Sequence, residues 1–234
     1  MEYKLDDPGG DNFYLRKITP EMLAADPFHP AVVDFESGMT AAPFFAISLI
    51  AANVLVFVWE LQTGALKSRE SIIAAGAIFG EKVFSGEYWR LATGMFMHAS
   101  PGHLIGNCVS LYILGLASER AWGGSRAFFI FICSGLTASA VSAALQPKPA
   151  VGASGAIFGL MGAAVVFFYR FRGSFHQRDR RIGSVLLAWG VFQIIMGALT
   201  PYVDNCAHLG GLAGGMFFGW LLPTTLFERK RGTR

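Results

Sequence analysis

From residue 41 onward, long apolar runs alternate with shorter polar or charged segments. The first run, Ala41 to Trp59, is nineteen residues without a charged side chain. At about 1.5 Å per helical residue, such a run is long enough to cross roughly 30 Å of hydrocarbon. Five further runs follow, at residues 101–118, 127–146, 154–169, 182–200 and 205–223. The pattern predicts an all-α polytopic membrane protein with six transmembrane helices.

The segments outside these runs predict three further regions. Residues 1–40 are polar and proline-containing, and we interpret them as a cytosolic leader with a short helix around residues 20–25. The mixed stretch 63–100 is long for a loop, and its apolar content predicts that it lies partly in the membrane interface. Residues 224–234 form a basic cytosolic tail.

The distribution of Lys and Arg predicts the orientation. If the N-terminus is cytoplasmic, fourteen of the nineteen lie in inner segments and five in outer segments. Because positive residues concentrate in cytoplasmic loops, both termini are predicted to be cytoplasmic. The short leader, which lacks the form of a targeting segment, favours a bacterial cytoplasmic membrane.

Composition excludes several function classes. With 53% hydrophobic and 15% charged residues and a mean hydropathy of +0.45, the chain is too apolar for a soluble domain. A net charge of +3 gives no reason to expect a nucleic-acid partner. The three cysteines resemble neither a disulfide framework nor a zinc site, so we interpret them as buried thiols.

Polar residues converge where three of the predicted helices begin on the outer side. Depth is counted along each predicted helix from its inner membrane boundary, at about 1.5 Å per residue. Ser154 and His103 then lie roughly 24 Å from that boundary, and His208 lies roughly 22 Å from it. Asn107 follows His103 by four residues and shares its helix face. Polar side chains at a common depth within the membrane indicate a functional site.

The residue types in this cluster suit nucleophilic catalysis. Ser154 and His208 are predicted to be the nucleophile and its base. The free N–H groups where the helix begins at Ser154, with the side chains of Asn107 and His103, suit an oxyanion hole. Asp204 is the nearby carboxylate that could orient His208, but it lies in the outer loop, and a two-residue dyad is favoured.

Small residues predict how such a dyad is held. Gly155-xxx-Gly159 and Gly211-xxx-Gly215 are motifs that let two membrane helices approach closely. Gly152 has no Cβ, so it permits unusual dihedral angles and a close substrate backbone. Phe158, one turn after Ser154, is placed to stack on the His208 ring.

Taken together, these motifs resemble the rhomboid intramembrane serine proteases. The resemblance covers roughly residues 41–223. The matching segments are Glu87-Tyr88-Trp89-Arg90, His98-xxxx-His103-xxx-Asn107, Gly152-Ala153-Ser154-Gly155 and Ala207-His208-xx-Gly211-xxx-Gly215.

The resemblance implies a function and a fold, a rhomboid-like six-helix bundle. It implies a dyad of Ser154 and His208, with an oxyanion hole from the Ser154 backbone N–H, His103 and Asn107. It implies cleavage of transmembrane segments of other proteins near their outer ends, with lateral entry beside the fifth helix. The implied partners are transmembrane substrates and lipid, and no metal or nucleotide cofactor is implied. Trp89-Arg90 resembles a structural pair of the family.

One position departs from the family pattern. Many members have Tyr where this chain has Phe158, so stacking on the imidazole is retained while a hydroxyl hydrogen bond is lost. No seventh helix is predicted, which is typical of the basic six-helix form.

Two other interpretations stay open. The first is a catalytically silent rhomboid-like protein that binds membrane helices, although the presence of both Ser154 and His208 argues against it. The second is a metal site or ion pathway built from His98, His103 and His208. A metal would need Asp204 as its fourth ligand, because no carboxylate lies inside any predicted span.

Overall fold

The computed structural model describes residues 32–227. The short helix predicted around residues 20–25, most of the predicted leader and residues 228–234 of the predicted tail lie outside this range.

The described residues form an almost entirely helical structure. In chain order the helices are α1 (Phe44–Thr63), α2 (Arg69–Ala75), α3 (Gly80–Phe84), α4 (Arg90–Thr93), α5 (Pro101–Trp122), α6 (Gly124–Leu145), α7 (Ser154–Arg170), α8 (Gln177–Arg180), α9 (Ile182–Leu199) and α10 (Asn205–Leu221). Extended pairing within residues 32–227 is limited to two isolated bridges, Val33 with Phe175 and Ile78 with Ala150.

Four helical segments in the described part are long and apolar enough to cross a membrane. They are Phe44–Thr63, Gly124–Leu145, Gln177–Leu199 and Asn205–Phe227, and Ser154–Arg170 is a shorter apolar helix. The protein is therefore an all-helical integral membrane protein. That six helices cross the bilayer, and that both termini are cytoplasmic, stay predictions.

Helix α7 is the central helix of the fold. It contacts α5, α6, α9 and α10, and twelve of its seventeen residues are buried. At its end opposite Ser154, Phe167 and Phe168 pack against Phe35 with ring centroids 5.9 and 4.8 Å apart. The Phe35 N–H donates to the carboxylate of Asp179 at 2.9 Å. These contacts fix the C-terminal end of the helix that carries Ser154.

Helix α1 is longer at its C-terminal end than the sequence predicted. It continues to Thr63 and ends at Gly64, a left-handed cap with φ of 73°. Glu60 therefore lies inside an apolar span and is fully buried. The expectation that no carboxylate lies inside a span was wrong, because the apolar run was ended at its first charged residue, whereas the helix continues to its glycine cap.

Candidate active site

The Ser154 and His208 side chains contact each other across α7 and α10. The Nε2 atom of His208 lies 3.0 Å from the Ser154 hydroxyl. Ser154 is the first residue of α7, and the N-cap position belongs to Ala153, which makes no side-chain capping bond. The hydroxyl is therefore engaged with the imidazole and does not cap its own helix.

The two helices that carry this pair touch backbone to backbone. Gly211 of α10 lies directly against the carbonyl oxygen of Gly155, and Gly215 lies against that of Gly159. A methyl group at either α10 position would overlap the α7 carbonyl. Since packed backbones have little freedom to shift, this seam fixes the separation of α7 and α10 at the level of the pair.

Phe158 packs flat on the His208 ring. The ring centroids are 4.2 Å apart and the planes differ by 10°. Both side chains are buried. The stack covers one face of the imidazole and leaves its edge, with the Nε2 atom, directed toward Ser154.

Asp204 is engaged away from His208. One of its carboxylate oxygens caps α10 by accepting the Ala207 N–H at 3.0 Å, and the other accepts a hydrogen bond from the Ser142 hydroxyl. The Nδ1 atom of His208 is buried and makes no hydrogen bond with any residue in 32–227. Asp204 therefore acts as a helix cap here, and the orienting-acid alternative has no hydrogen bond to support it.

His103 and Asn107 both lie close to Gly152, two residues before Ser154. A methyl group on Gly152 would lie 2.7 Å from the His103 ring and 3.5 Å from the amide nitrogen of Asn107. Gly152 has φ of 131°, a conformation that favours glycine. The Asn107 amide nitrogen is buried without a hydrogen-bond partner among the described residues. Glycine at this position leaves open the space that these two side chains border.

The segment that precedes Ser154 is held by the loop between α1 and α5. The Gly152 N–H donates to the Gly94 carbonyl at 2.9 Å. Ile78 and Ala150 exchange two backbone hydrogen bonds of 2.9 and 2.8 Å. The loop backbone therefore sets the conformation of the turn into α7.

Arg90 holds that loop together. Its buried guanidinium donates to the carbonyls of Ile73 and Ala77, and to the Glu87 carboxylate at 2.6 and 2.8 Å. The Trp89 ring lies 4.6 Å from the guanidinium. The hydrogen bond from Arg90 lowers the pKa of the Glu87 carboxyl below its usual value, so the pair stays charged. These contacts are those of a structural pair.

The three histidines of the metal-site interpretation do not form a ligand set. His98 and His103 pack ring against ring, with centroids 5.1 Å apart, while His208 contacts Ser154. Across residues 32–227, no group of three His, Cys, Asp or Glu side chains is placed to hold a metal ion.

Sequence reasoning missed one polar contact beside this cluster. The Glu60 carboxylate accepts the backbone N–H of His98 at 3.0 Å. The sequence did hold a signal that the first helix extends past Glu60: Gly64, four residues further on, is a residue typical of a helix end.

These features define a class of protein: a helical membrane protein with a partly buried serine–histidine pair where two of its helices begin. Comparison with known proteins then identifies the family. The family model described as "Rhomboid domain" matches residues 85–225, and the chain belongs to the rhomboid family. The predicted family is thereby confirmed.

The relatives come from bacteria and plants. Rhomboid protease GluP of Bacillus subtilis is 34% identical over 175 residues, which cover 75% of this chain and 34% of GluP. Rhomboid protease AarA of Providencia stuartii is 30% identical over 189 residues, covering 70% and 67% respectively. RHOMBOID-like protein 6, mitochondrial, of Arabidopsis thaliana is 36% identical over 157 residues, covering 66% and 50%. The chain thus spans between about a third and two thirds of these relatives, and a bacterial inner membrane stays a prediction.

Proposed function

We propose that this protein is an intramembrane serine endopeptidase that cleaves transmembrane segments of other membrane proteins. The observation that carries the proposal is the 3.0 Å contact between His208 Nε2 and the Ser154 hydroxyl. Family membership supports it, because relatives such as GluP and AarA are named rhomboid proteases.

The reaction begins when the Ser154 hydroxyl oxygen attacks a peptide carbonyl carbon and its proton passes to His208 Nε2. Because Nε2 must accept that proton, the neutral ring carries its hydrogen on Nδ1. The imidazolium then donates the proton to the leaving amine, and the peptide bond breaks to give an acyl-enzyme. Water, deprotonated by the same ring, hydrolyses the ester and restores Ser154.

The developing oxyanion is stabilised by three donors. They are the Ser154 backbone N–H, the Asn107 amide and the His103 ring, and the two side chains both lie beside Gly152. Removing one such donor from a serine protease costs about 10²–10³-fold in rate. The unpartnered Asn107 amide nitrogen supports this role, because a buried donor without a partner is otherwise unfavourable.

Substrate access is proposed beside α9. The buried residues of α9 are three glycines, Gly183, Gly190 and Gly197, while most of its large side chains are exposed. A substrate helix must unwind before its carbonyl can be attacked, so segments with Gly, Pro or small residues near the outer end are favoured.

We also propose the topology and the organisation of the chain. Residues 1–40 form a cytosolic leader, residues 41–223 a membrane domain of six spans, and residues 224–234 a cytosolic tail, in a bacterial inner membrane. A reporter that is active only outside the cytoplasm, fused after residue 234, is expected to be inactive. Activity of that reporter would contradict the orientation.

The test of the function is cleavage of a generic single-span substrate by purified protein in detergent, with and without a chelator. Wild type is expected to cut in both conditions, and Ser154→Ala and His208→Ala are expected to be inactive. Ser48→Ala is the matched control, because Ser48 is an exposed serine of α1 whose hydroxyl bonds only to its own helix.

Cutting by Ser154→Ala would show that the nucleophile is wrong. If wild type does not cut, its reaction with a fluorophosphonate separates two cases. Labelling at Ser154 indicates an active enzyme without its substrate, and absence of labelling indicates the silent helix-binding alternative.

A further inference from the structure

Glu60 is a buried carboxylate within an apolar helix. Its side chain is 0% exposed, and its two oxygens lie 3.0 and 3.3 Å from the backbone nitrogen of His98. No Lys or Arg among residues 32–227 forms an ion pair with it. A carboxyl group at membrane depth is costly and is generally retained for a function.

The residue that Glu60 holds is itself fixed by a second bond. The Nδ1 atom of His98 lies 3.1 Å from the carbonyl oxygen of Phe96. Since a carbonyl oxygen can only accept, Nδ1 carries the hydrogen, and the ring orientation is set. His98 is 0% exposed, so its ring packs in one place.

The fixed ring of His98 lies against His103. Their centroids are 5.1 Å apart and the planes meet at 62°, an edge-to-face contact. The edge of the His103 ring that carries Cε1 and Nε2 borders Gly152. A continuous series of contacts therefore runs from α1 through the loop to the ring next to Ser154.

We propose that Glu60 is a positioning residue for the oxyanion hole: its carboxylate fixes the backbone of His98, and the His98 ring sets the orientation of His103. The inference rests on the proposed function, because it assigns a role within that same site. Among the described residues, the side-chain hydrogen bonds of Glu60 go to the backbone of His98 and not to Ser154, so any effect of Glu60 on the site passes through His98.

The expected effect is on catalysis more than on substrate binding. An oxyanion hole acts on the transition state, so a misplaced His103 lowers kcat and leaves KM nearly unchanged. We expect Glu60→Met to lower kcat by about 10- to 100-fold, since a small misplacement of a catalytic group can cost that much. Glu60→Gln keeps an oxygen that accepts the His98 N–H, and we expect its kcat to stay within about threefold of wild type.

Asn53→Leu is the matched control. Asn53 lies seven residues before Glu60 on the same face of α1, is also 0% exposed, and makes no side-chain hydrogen bond with the described residues. The substitution removes a buried polar group from the same helix without touching the loop. We expect its kcat to stay within about threefold of wild type, as for a residue outside the contact series.

The decisive experiment is a double-mutant cycle with His103→Ala, measured as kcat and KM in detergent. If Glu60 acts through His103, Glu60→Met lowers kcat by less than about threefold once His103 is already Ala. An equal loss in both backgrounds, or a Glu60→Gln variant as impaired as Glu60→Met, would overturn the inference.

A second pair of variants covers the case in which Glu60→Met does not fold. His98→Ala keeps the backbone N–H bond to Glu60 and removes only the ring, and the same cycle with His103→Ala is expected to show the same coupling. Additive losses would overturn the inference there too. Ser154→Ala is run in parallel, and cleavage by that variant would reject the proposed function itself, a result distinct from additivity in the cycle.

Discussion

Helices α9 and α10 both pack against α7, but they do so in different ways. Gly211 and Gly215 of α10 lie against carbonyl oxygens of α7, so backbone meets backbone. Gly190 of α9 lies instead against the side-chain sulfur of Met161. A side chain can change rotamer to follow a moving neighbour, and a packed carbonyl cannot. The same residue type therefore makes one contact rigid and the other adjustable.

The burial of the two helices follows this difference. Helix α10 buries His208 and five glycines, whereas α9 buries only its three glycines. A side-chain hydrogen bond from the Asn205 amide to the Ile194 carbonyl, 2.9 Å long, links the two helices near the connection between them. The proposed substrate entry beside α9 would therefore leave the contact between Ser154 and His208 in place.

The largest effect is expected where the backbones touch. Gly211→Val places a branched side chain against the Gly155 carbonyl, and overpacking of this kind costs about 1–3 kcal/mol or more. Because α10 must move away from α7, we expect a loss of cleavage of more than about 100-fold and a lower Tm.

Gly106→Val is its matched control. Gly106 is an exposed position of α5 where an added methyl group meets no atom within 4 Å. This variant is expected to keep most of the activity. Equal activity of the Gly211 and Gly106 variants would show that the backbone contact between α7 and α10 is not needed to position Ser154 and His208.

A smaller effect is expected from the ring stack. Phe158→Leu keeps an apolar side chain but loses aromatic stacking on His208, which is worth about 0.5–1.5 kcal/mol, or up to about tenfold in kcat. Phe158→Tyr keeps the stack and is expected to cleave close to the wild-type rate. Wild-type kcat for Phe158→Leu would mean that packing elsewhere orients the imidazole.

Loss of the hydrogen bond between α9 and α10 is expected to make α9 more mobile and to leave the Ser154–His208 contact unchanged. Asn205→Ala removes the bond to Ile194, worth about 1 kcal/mol, so amide hydrogen exchange in the last turn of α9 is expected to rise about fivefold. Fluorophosphonate labelling of Ser154 is expected to stay unchanged.

Thr200→Ala is the control for that comparison. The Thr200 hydroxyl bonds to the Met196 carbonyl of its own helix, so its removal leaves the link between the helices intact. If amide exchange becomes faster throughout α10 in the Asn205 variant, the proposed difference between a rigid α7–α10 contact and an adjustable α7–α9 contact is contradicted.

The smallest effect is expected on the exposed face of α9. Val191 is 49% exposed, and Val191→Ala is expected to change stability by no more than about 0.5 kcal/mol and cleavage by less than about threefold. Measured Tm and kcat check this. A large loss of stability would show that this face is packed against another part of the protein.

The family and the helical membrane class could be predicted from the sequence because both depend on local patterns. Apolar runs reveal helices of membrane length without knowledge of their neighbours. The segments around Ser154 and His208 could be recognised because each combines a polar residue with two glycines four positions apart.

The remaining contacts depend on residues far apart in the chain. Glu60 lies thirty-eight positions before His98, and their hydrogen bond has no local signature. The bond from Gly152 to Gly94 is likewise invisible in either segment alone. For Asp204, sequence distance to His208 suggested an orienting role, but its carboxylate is occupied by a helix cap and by Ser142.

The most direct test of the proposed mechanism is to locate a fluorophosphonate adduct by mass spectrometry in wild type, His208→Ala and Ser154→Ala. If the imidazole 3.0 Å away activates the Ser154 hydroxyl, an adduct is expected on Ser154 in wild type and in neither variant. An adduct on another serine, or undiminished labelling of Ser154 without His208, would contradict the proposed mechanism.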